Sequence, residues 1–417
     1  MKKLLLALAV VGATLFTACN KDQNCGHEFI EYDNTKNLVG TWTYIADNGQ
    51  AEAMVINPDG SFEVTGVMKG GHLYEEKGTI KVVNNKVSLV FVGDTEVIEG
   101  RLELVSGKSL SIVLNEEYDI RLDYDYCKED LSEEIVGMWV CTNSFANTEN
   151  DMLIQTFNED GTAIMTGYIS DLEDFVTNAG GSTYKVIGNL FINILPADAV
   201  AGGVPPYMAM RLDYTPNGLA YGDIMTFTHY LVDGIKNTDT FLRVKQNLNL
   251  TGNTYDYKSA YVTNVKGKDE DFTIFGNTFN IAKIKPYDFD KLFSADLFCL
   301  ELNATAIKQN FSPDGENGGI VTPITVDGNK VTLDFSAEHP ACRKVDMYMF
   351  QDKGDTQLHI YMPTKSFANY FANLEIFTML LEGKIDPTDA AAVEKVFADM
   401  EERVESINVS LVFKARK

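Results

Sequence analysis

The chain has 417 residues, with 60 Asp or Glu against 35 Lys or Arg and a formal charge of −25. A surface this acidic repels phosphate backbones and anionic lipid heads, which argues against nucleic acid as a partner. The length allows two to four ordinary domains, and no apolar stretch after the N-terminal run reaches membrane-spanning length either.

In chain order, Lys2 and Lys3 precede an apolar run from Leu4 to Leu15, and the small residues Thr17 and Ala18 stand before Cys19. This is the pattern of a secretory signal, too short for a stable span. The ending Phe16-Thr17-Ala18-Cys19 resembles a bacterial lipobox, with Phe16 where Leu fits better. The resemblance implies removal of residues 1–18 and acylation of Cys19. One acyl chain anchors marginally and several anchor stably, at about 0.8 kcal/mol per buried methylene. The following Asn20-Lys21-Asp22-Gln23 resembles the Lys-acidic surface-export signal of lipoproteins from Gram-negative gut anaerobes. A generic polar tether over residues 19–37 is the other reading. The expected location is the outer membrane, lipid-anchored and displayed at the cell surface.

Two stretches then repeat one another. Leu38-Val39-Gly40-Thr41-Trp42 recurs as Ile135-Val136-Gly137-Met138-Trp139. Each is followed by a strand-like run and a turn, Asn57-Pro58-Asp59-Gly60-Ser61 and Asn158-Glu159-Asp160-Gly161-Thr162. Asp-Gly between strand-like runs predicts a hairpin, because glycine accepts positive φ. Each copy continues through a strand pair, 77–91 and 181–194, and closes on a strand carrying Arg121 or Arg243. Alternation is visible in the first copy, where Phe62, Val64 and Gly66 oppose Glu63 and Thr65. About eight strand-like segments at regular spacing suit a closed antiparallel barrel or a sandwich.

With Gly40-x-Trp42 and Arg121, and again Gly137-x-Trp139 and Arg243, the chain resembles the lipocalin, or calycin, family and the lipocalin-like repeats of gut-anaerobe lipoproteins. The resemblance implies tandem barrels over 38–127 and 128–247, each closed at one end by an indole beneath a guanidinium. Such a contact gains roughly 0.5–2 kcal/mol, so Arg121→Ala is expected to cost about 1–3 kcal/mol.

Residues 248–417 read as a divergent third β-barrel-like domain. Tyr255 stands near the Trp position, facing Lys414 or Arg416, and Phe311-Ser312-Pro313-Asp314-Gly315 is the candidate turn. Ile324 to Leu333 repeats the strand–turn–strand unit. Phe367, Tyr370, Phe371, Leu374, Phe377 and Leu381 recur at helical spacing, predicting a helix near 366–382. A second is expected near 387–405, capped by Asp386 with Pro387 at its first position. These helices either fill the barrel core or present Phe367, Tyr370 and Phe371 as a lid or docking face.

Six cysteines are present. With Cys19 acylated, Cys25 with Cys127 and Cys299 with Cys342 are the candidate disulfides, and Cys141 reads as a buried thiol. The five histidines do not cluster with carboxylates at metal-ligand spacing, and no phosphate loop or nucleophile elbow is present. Asp123, Asp125, Glu129 and Asp130 lack the calcium-loop pattern and read as a solvated acidic stretch. Catalytic residues, cofactor and metal are therefore expected to be none. The expected function is non-enzymatic binding of a small apolar or glycan ligand, or of a protein partner. The alternatives are a ligand-free structural subunit of an outer-membrane assembly and, last, a hydrolase. The Met- and Tyr-rich runs around Tyr207–Tyr221 and Met347–Met362 supply adaptable apolar surface, without indicating which residues line a pocket.

Overall fold

A computed structural model describes residues 33–416, except 47, 106–107, 115–119, 142–149, 170–173, 178–180, 202, 204, 217–222, 231–235, 251, 294–297, 311–318, 338 and 387. The signal, Cys19, Cys25, the 311–315 turn, Tyr221 and Pro387 lie outside the described residues. The fold is mostly β and consists of three closed antiparallel barrels.

The first barrel comprises β1 (Gly40–Ile45), β2 (Ala51–Ile56), β3 (Ser61–Met68), β4 (His72–Val83), β5 (Lys86–Phe91), β6 (Ile98–Val105), β7 (Ser109–Leu114) and β8 (Ile120–Cys127). Neighbours in sequence pair in turn, and β8 returns to β1 with Trp42 opposite Tyr126. Side chains alternate between interior and exterior because the strand period is two. Trp42, Met54, Phe62, Val64, Leu89, Ile112 and Leu114 thus form one apolar core. A 3-10 turn, Thr35–Leu38, closes one end, where the Trp42 indole donates to the Leu38 carbonyl at 2.7 Å. Gly40 has φ +138, and a Cβ there would sit 2.6 Å from the Tyr126 ring, which meets Trp42 edge-on at 5.0 Å.

The middle barrel comprises β9 (Gly137–Cys141), β10 (Asn150–Phe157), β11 (Thr162–Ile169), β12 (Asp174–Thr177), β13 (Ser182–Ile187), β14 (Leu190–Ile194), β15 (Tyr207–Thr215), β16 (Ile224–Tyr230) and β17 (Lys236–Val244), with the short helix α1 (Ala197–Ala201) after β14. The β10–β11 pairing closes the ring, and β12 hangs from β11. The two predicted Asp-Gly turns use the same bonds. Ser61 and Thr162 each donate backbone N–H and hydroxyl to the aspartate two residues earlier, and Gly60 and Gly161 take φ +81 and +80. Those bonds hold the carboxyls of Asp59 and Asp160 below the usual range.

The third barrel comprises β18 (Thr254–Gly267), β21 (Cys299–Leu302), β22 (Ala306–Asn310), β23 (Ile320–Asp327), β24 (Lys330–Asp334), β25 (Lys344–Gln351), β26 (Gln357–Met362) and β27 (Val404–Ala415). Between its first two strands lie a hairpin, β19 (Asp271–Ile274) with β20 (Asn277–Asn280), and helix α2 (Pro286–Leu292). Between its last two lie α3 (Thr364–Leu381) and α4 (Ala390–Arg403). The α3 face carrying Phe367, Tyr370 and Phe371 is buried against Phe289, Phe272, Phe279 and Phe335, so it fills the core and is not a free lid or docking face. Asp389, not Asp386, caps α4 by accepting from the N–H groups of Ala391 and Ala392. Asp386 instead holds the preceding turn through Thr388.

By its contacts the chain divides into two compact units. One holds the residues up to Ile135 with Ser182–Asp213 and Phe227–Thr238, and within it Ala51, Ala53 and Val67 pack on Leu190, Ile192 and Ala209. The other holds Val136–Gly181, Tyr214–Thr226 and Asp239–Lys417, and within it Val140, Ile154, Leu242 and Val244 pack on Tyr348, Phe350 and Tyr361.

Candidate functional site

A cavity with a volume of about 120 Å³ lies inside the first barrel. Register explains its chemistry. Tyr44 of β1 stands opposite Glu52 of β2, Glu52 opposite Gly66 of β3, and Gly66 opposite Tyr74 of β4. Tyr124 of β8 lies one step beyond the pair Thr43–Asp125, at the same level. All five positions face inward, so an acid, a glycine and three tyrosines form a belt around the chamber. A Cβ on residue 66 would lie 2.5 Å from the Tyr74 ring. The absent side chain is what lets Tyr74 lie across β3 and reach Glu52.

Tyr74 donates its hydroxyl to one carboxylate oxygen of Glu52, and Tyr124 donates to the other. Glu52 is buried, and burial pushes its carboxyl up to about 7, opposed by the Tyr74 bond and reinforced by Glu76. Glu76, also on the chamber wall, is raised by burial and by Asp94. The Tyr74 hydroxyl is raised by burial and by the charge on Glu52. Apart from the buried Gln50 and the rim lysine, the rest of the wall is apolar, including Met54, Phe62, Val64, Leu89, Phe91 and Ile112. Lys69 sits exposed on the turn after β3, at the rim.

A cavity in the third barrel, between Phe293, Phe298, Phe413 and Tyr370, has a volume of about 20 Å³. Tyr255 is fully buried there and its hydroxyl accepts from the Gln351 side chain at 2.9 Å. It stands opposite Ala415, while Lys414 stands opposite Asp256 and Arg416 bonds Asp256. The expected cationic partner of Tyr255 is thus replaced by an amide.

The two expected Trp–Arg pairs differ. In the middle barrel Arg243 is directly opposite Trp139, and its guanidinium lies 4.7 Å from the indole centroid. A Tyr214 ring lies 6.0 Å away and Asp223 3.8 Å away. In the first barrel the expected Trp42–Arg121 pairing is corrected. Arg121 lies five residues along β8 from Tyr126, the partner of Trp42, a distance of about 16 Å at strand rise. It also has the outward parity of Asp123, and its guanidinium bonds Glu103 at 2.7 Å and Asp123 at 2.9 Å, half exposed. Tyr126 takes the place beside Trp42.

The cysteines at 127, 141, 299 and 342 are buried and stand outside any disulfide. Cys299 begins β21 and Cys342 precedes β25, four strands apart in a ring of eight, so the expected bridge between them has no geometry to form. Cys127 donates to the Glu129 carbonyl at 3.0 Å. Burial raises the thiols of Cys127 and Cys342, the latter to about 11. Asp123 and Asp125 lie on β8, and Glu129 and Asp130 on the connection after it.

Sequence reasoning did not single out Glu52, Tyr74 or Tyr124, and it placed Gly66 only as a member of the Phe62–Val64 face. A signal was available, since Glu52 shares the inward parity of Met54 and Ile56 and is an acid on a core face. The small Ala51 and Ala53 obscured which face was which, because both faces of β2 are buried.

No family model matches the chain, and no curated protein does. Among solved structures it is similar to a double mutant of transferrin binding protein B from Haemophilus parasuis Hp5, at 11% identity and a TM-score of 0.22, over 88% of this chain and 65% of that one. It is also similar to isotype 1 transferrin binding protein B from serogroup B Neisseria meningitidis, at 8% identity and a TM-score of 0.19, over 88% of this chain and 66% of that one. The chain thus spans just under two thirds of the length of each. Scores at this level assign neither ligand nor partner to it.

Proposed function

We propose that this protein is a non-enzymatic lipoprotein, anchored through Cys19 to the outer membrane and displayed at the cell surface, whose first barrel retains one small, mainly apolar molecule. The observation that carries the reading is the chamber of about 120 Å³ with apolar walls and a single buried belt of polar groups. An apolar cavity of about 150 Å³ holds a benzene-sized guest, which sets the scale of the ligand. Apolar walls with a few convergent polar groups are the usual makeup of a binding site. The filled third barrel acts as scaffold. Anchoring rests on the sequence from Met1 to Cys19.

Calorimetric titration with toluene tests the chamber. Saturable binding to the full chain, lost in Val64→Phe, which fills the chamber, is the expected result. No uptake by the folded wild-type protein of toluene or of its equally small amine and alcohol analogues overturns the reading. Acylation is tested by incorporation of labelled palmitate in a Gram-negative host, which Cys19→Ser should abolish.

A further inference from the structure

We propose that the ligand of the first barrel carries a cationic amine on its small apolar body, and that the Glu52 carboxylate seats this amine. The inference rests on the reading of the barrel as a binding chamber and names the class of molecule it takes.

The argument starts from charge and geometry. Glu52 is buried, and each of its two oxygens accepts one phenol hydroxyl, from Tyr74 and from Tyr124. Two donors converging on one carboxyl favour its ionised, acceptor-only form. A carboxylate oxygen has capacity for more than one donor, so acceptor sites remain beside the chamber. Glu76 is a second acid on the same wall, and Asp94 adds negative charge behind it. The groups facing Glu52 are therefore Tyr44, Tyr74, Tyr124 and Glu76, none of them cationic. The lysine on the lining, Lys69, is exposed at the rim. A buried carboxylate without a counter-charge is costly, and it is relieved by a proton or by a cation.

The chamber is built so that the cation must come with the ligand. An ammonium group donates where the two tyrosines leave off and gains from both acids. Phe62, Phe91 and the two tyrosines supply ring faces, which attract cations electrostatically. An anionic ligand is repelled by Glu52 and Glu76. A neutral alcohol gains one hydrogen bond and leaves the charge in place. A hard divalent ion needs six or more oxygens, and the wall offers mostly carbon.

Three near-isosteric probes separate the outcomes: benzylamine, benzyl alcohol and toluene, titrated calorimetrically into the full chain at pH 8. Benzylamine should bind at least about tenfold more tightly than the other two, the size of a single charge-assisted bond. Glu52→Gln should remove the preference and retain toluene binding. With wild-type protein, which needs no folded variant, benzylamine affinity should fall as pH drops below about 7, by up to tenfold per unit, while toluene affinity holds. Toluene binding without a preference for benzylamine overturns the inference and leaves the binding reading intact. A preference that survives Glu52→Gln, or that does not change with pH, also overturns it. Failure of all three probes overturns both.

Discussion

The first and third barrels use the same ring of eight antiparallel strands and reach opposite interiors. The first keeps a chamber of about 120 Å³, whereas the third retains about 20 Å³. The difference lies in what the chain inserts between strands. In the first barrel the connections among β1 to β5 are short turns, which add only Gln50 and Lys69 to the chamber wall. In the third, the segment from Asp271 to Leu292 and the helices from Thr364 to Arg403 bring Phe272, Phe279, Phe289, Phe367 and Phe371 into one buried cluster. An interior of about eight strands admits either packed side chains or one small ligand, and the inserted segments decide which.

The sharpest way to break this contrast is to open the packed barrel. Phe371 is fully buried, stacked on Phe367 at 4.2 Å and edge-on to Phe289 at 6.1 Å. Phe371→Ala should cost about 3–5 kcal/mol, read by urea unfolding. In the hollow barrel, Met54→Ala should cost nearer 2 kcal/mol, because one side of Met54 already lacks packing partners. Equal losses would mean that the chamber is closed in solution.

Opposite pH responses sharpen the contrast further. Glu52 titrates near 7 in the fold against an ordinary value of 4.5. The folded state holds its proton more tightly, so its contribution is full below pH 4.5 and is lost as pH rises through 7, by about 3 kcal/mol. His359 on β26 is buried, and burial, with Lys258, lowers it to about 4 against an ordinary 6.5, opposed by Asp352. Here the folded state excludes the proton, so about 3 kcal/mol present above pH 6.5 is lost as pH falls through 4. Region-resolved hydrogen exchange should show first-barrel protection rising, and third-barrel protection falling, between pH 7 and pH 4.5. Glu52→Gln and His359→Gln should flatten their respective slopes. Parallel slopes would refute the assignment of these two groups.

The belt itself is tested by Gly66→Ala. Its Cβ, placed 2.5 Å from the Tyr74 ring, should displace that ring, cost about 1–3 kcal/mol and weaken benzylamine binding. The smallest expected difference separates the two arginines. Arg243→Ala should cost about 1–3 kcal/mol, because the guanidinium is largely buried over Trp139. Arg121→Ala should cost less than about 1 kcal/mol, since its ion pairs are solvent-exposed. Thermal melts of the two variants compare them directly.

Residue patterns of short range were legible from the start. Asp59-Gly60 and Asp160-Gly161 specify their hairpins through bonds spanning two to four residues, and the spacing of Phe367, Tyr370, Phe371 and Leu374 specifies one helix face. Such features depend on backbone preference and period, which the chain carries locally. What only the tertiary structure decided is which inward positions share a level. Glu52, Gly66, Tyr74 and Tyr124 are separated by up to 72 residues and meet through register summed around a closed ring. Register likewise placed Arg121 outside the first barrel and set Arg243 over Trp139 in the middle one, although the two motifs read alike. Register across non-adjacent strands is set by the packing of the whole barrel, and no local run of residues encodes it.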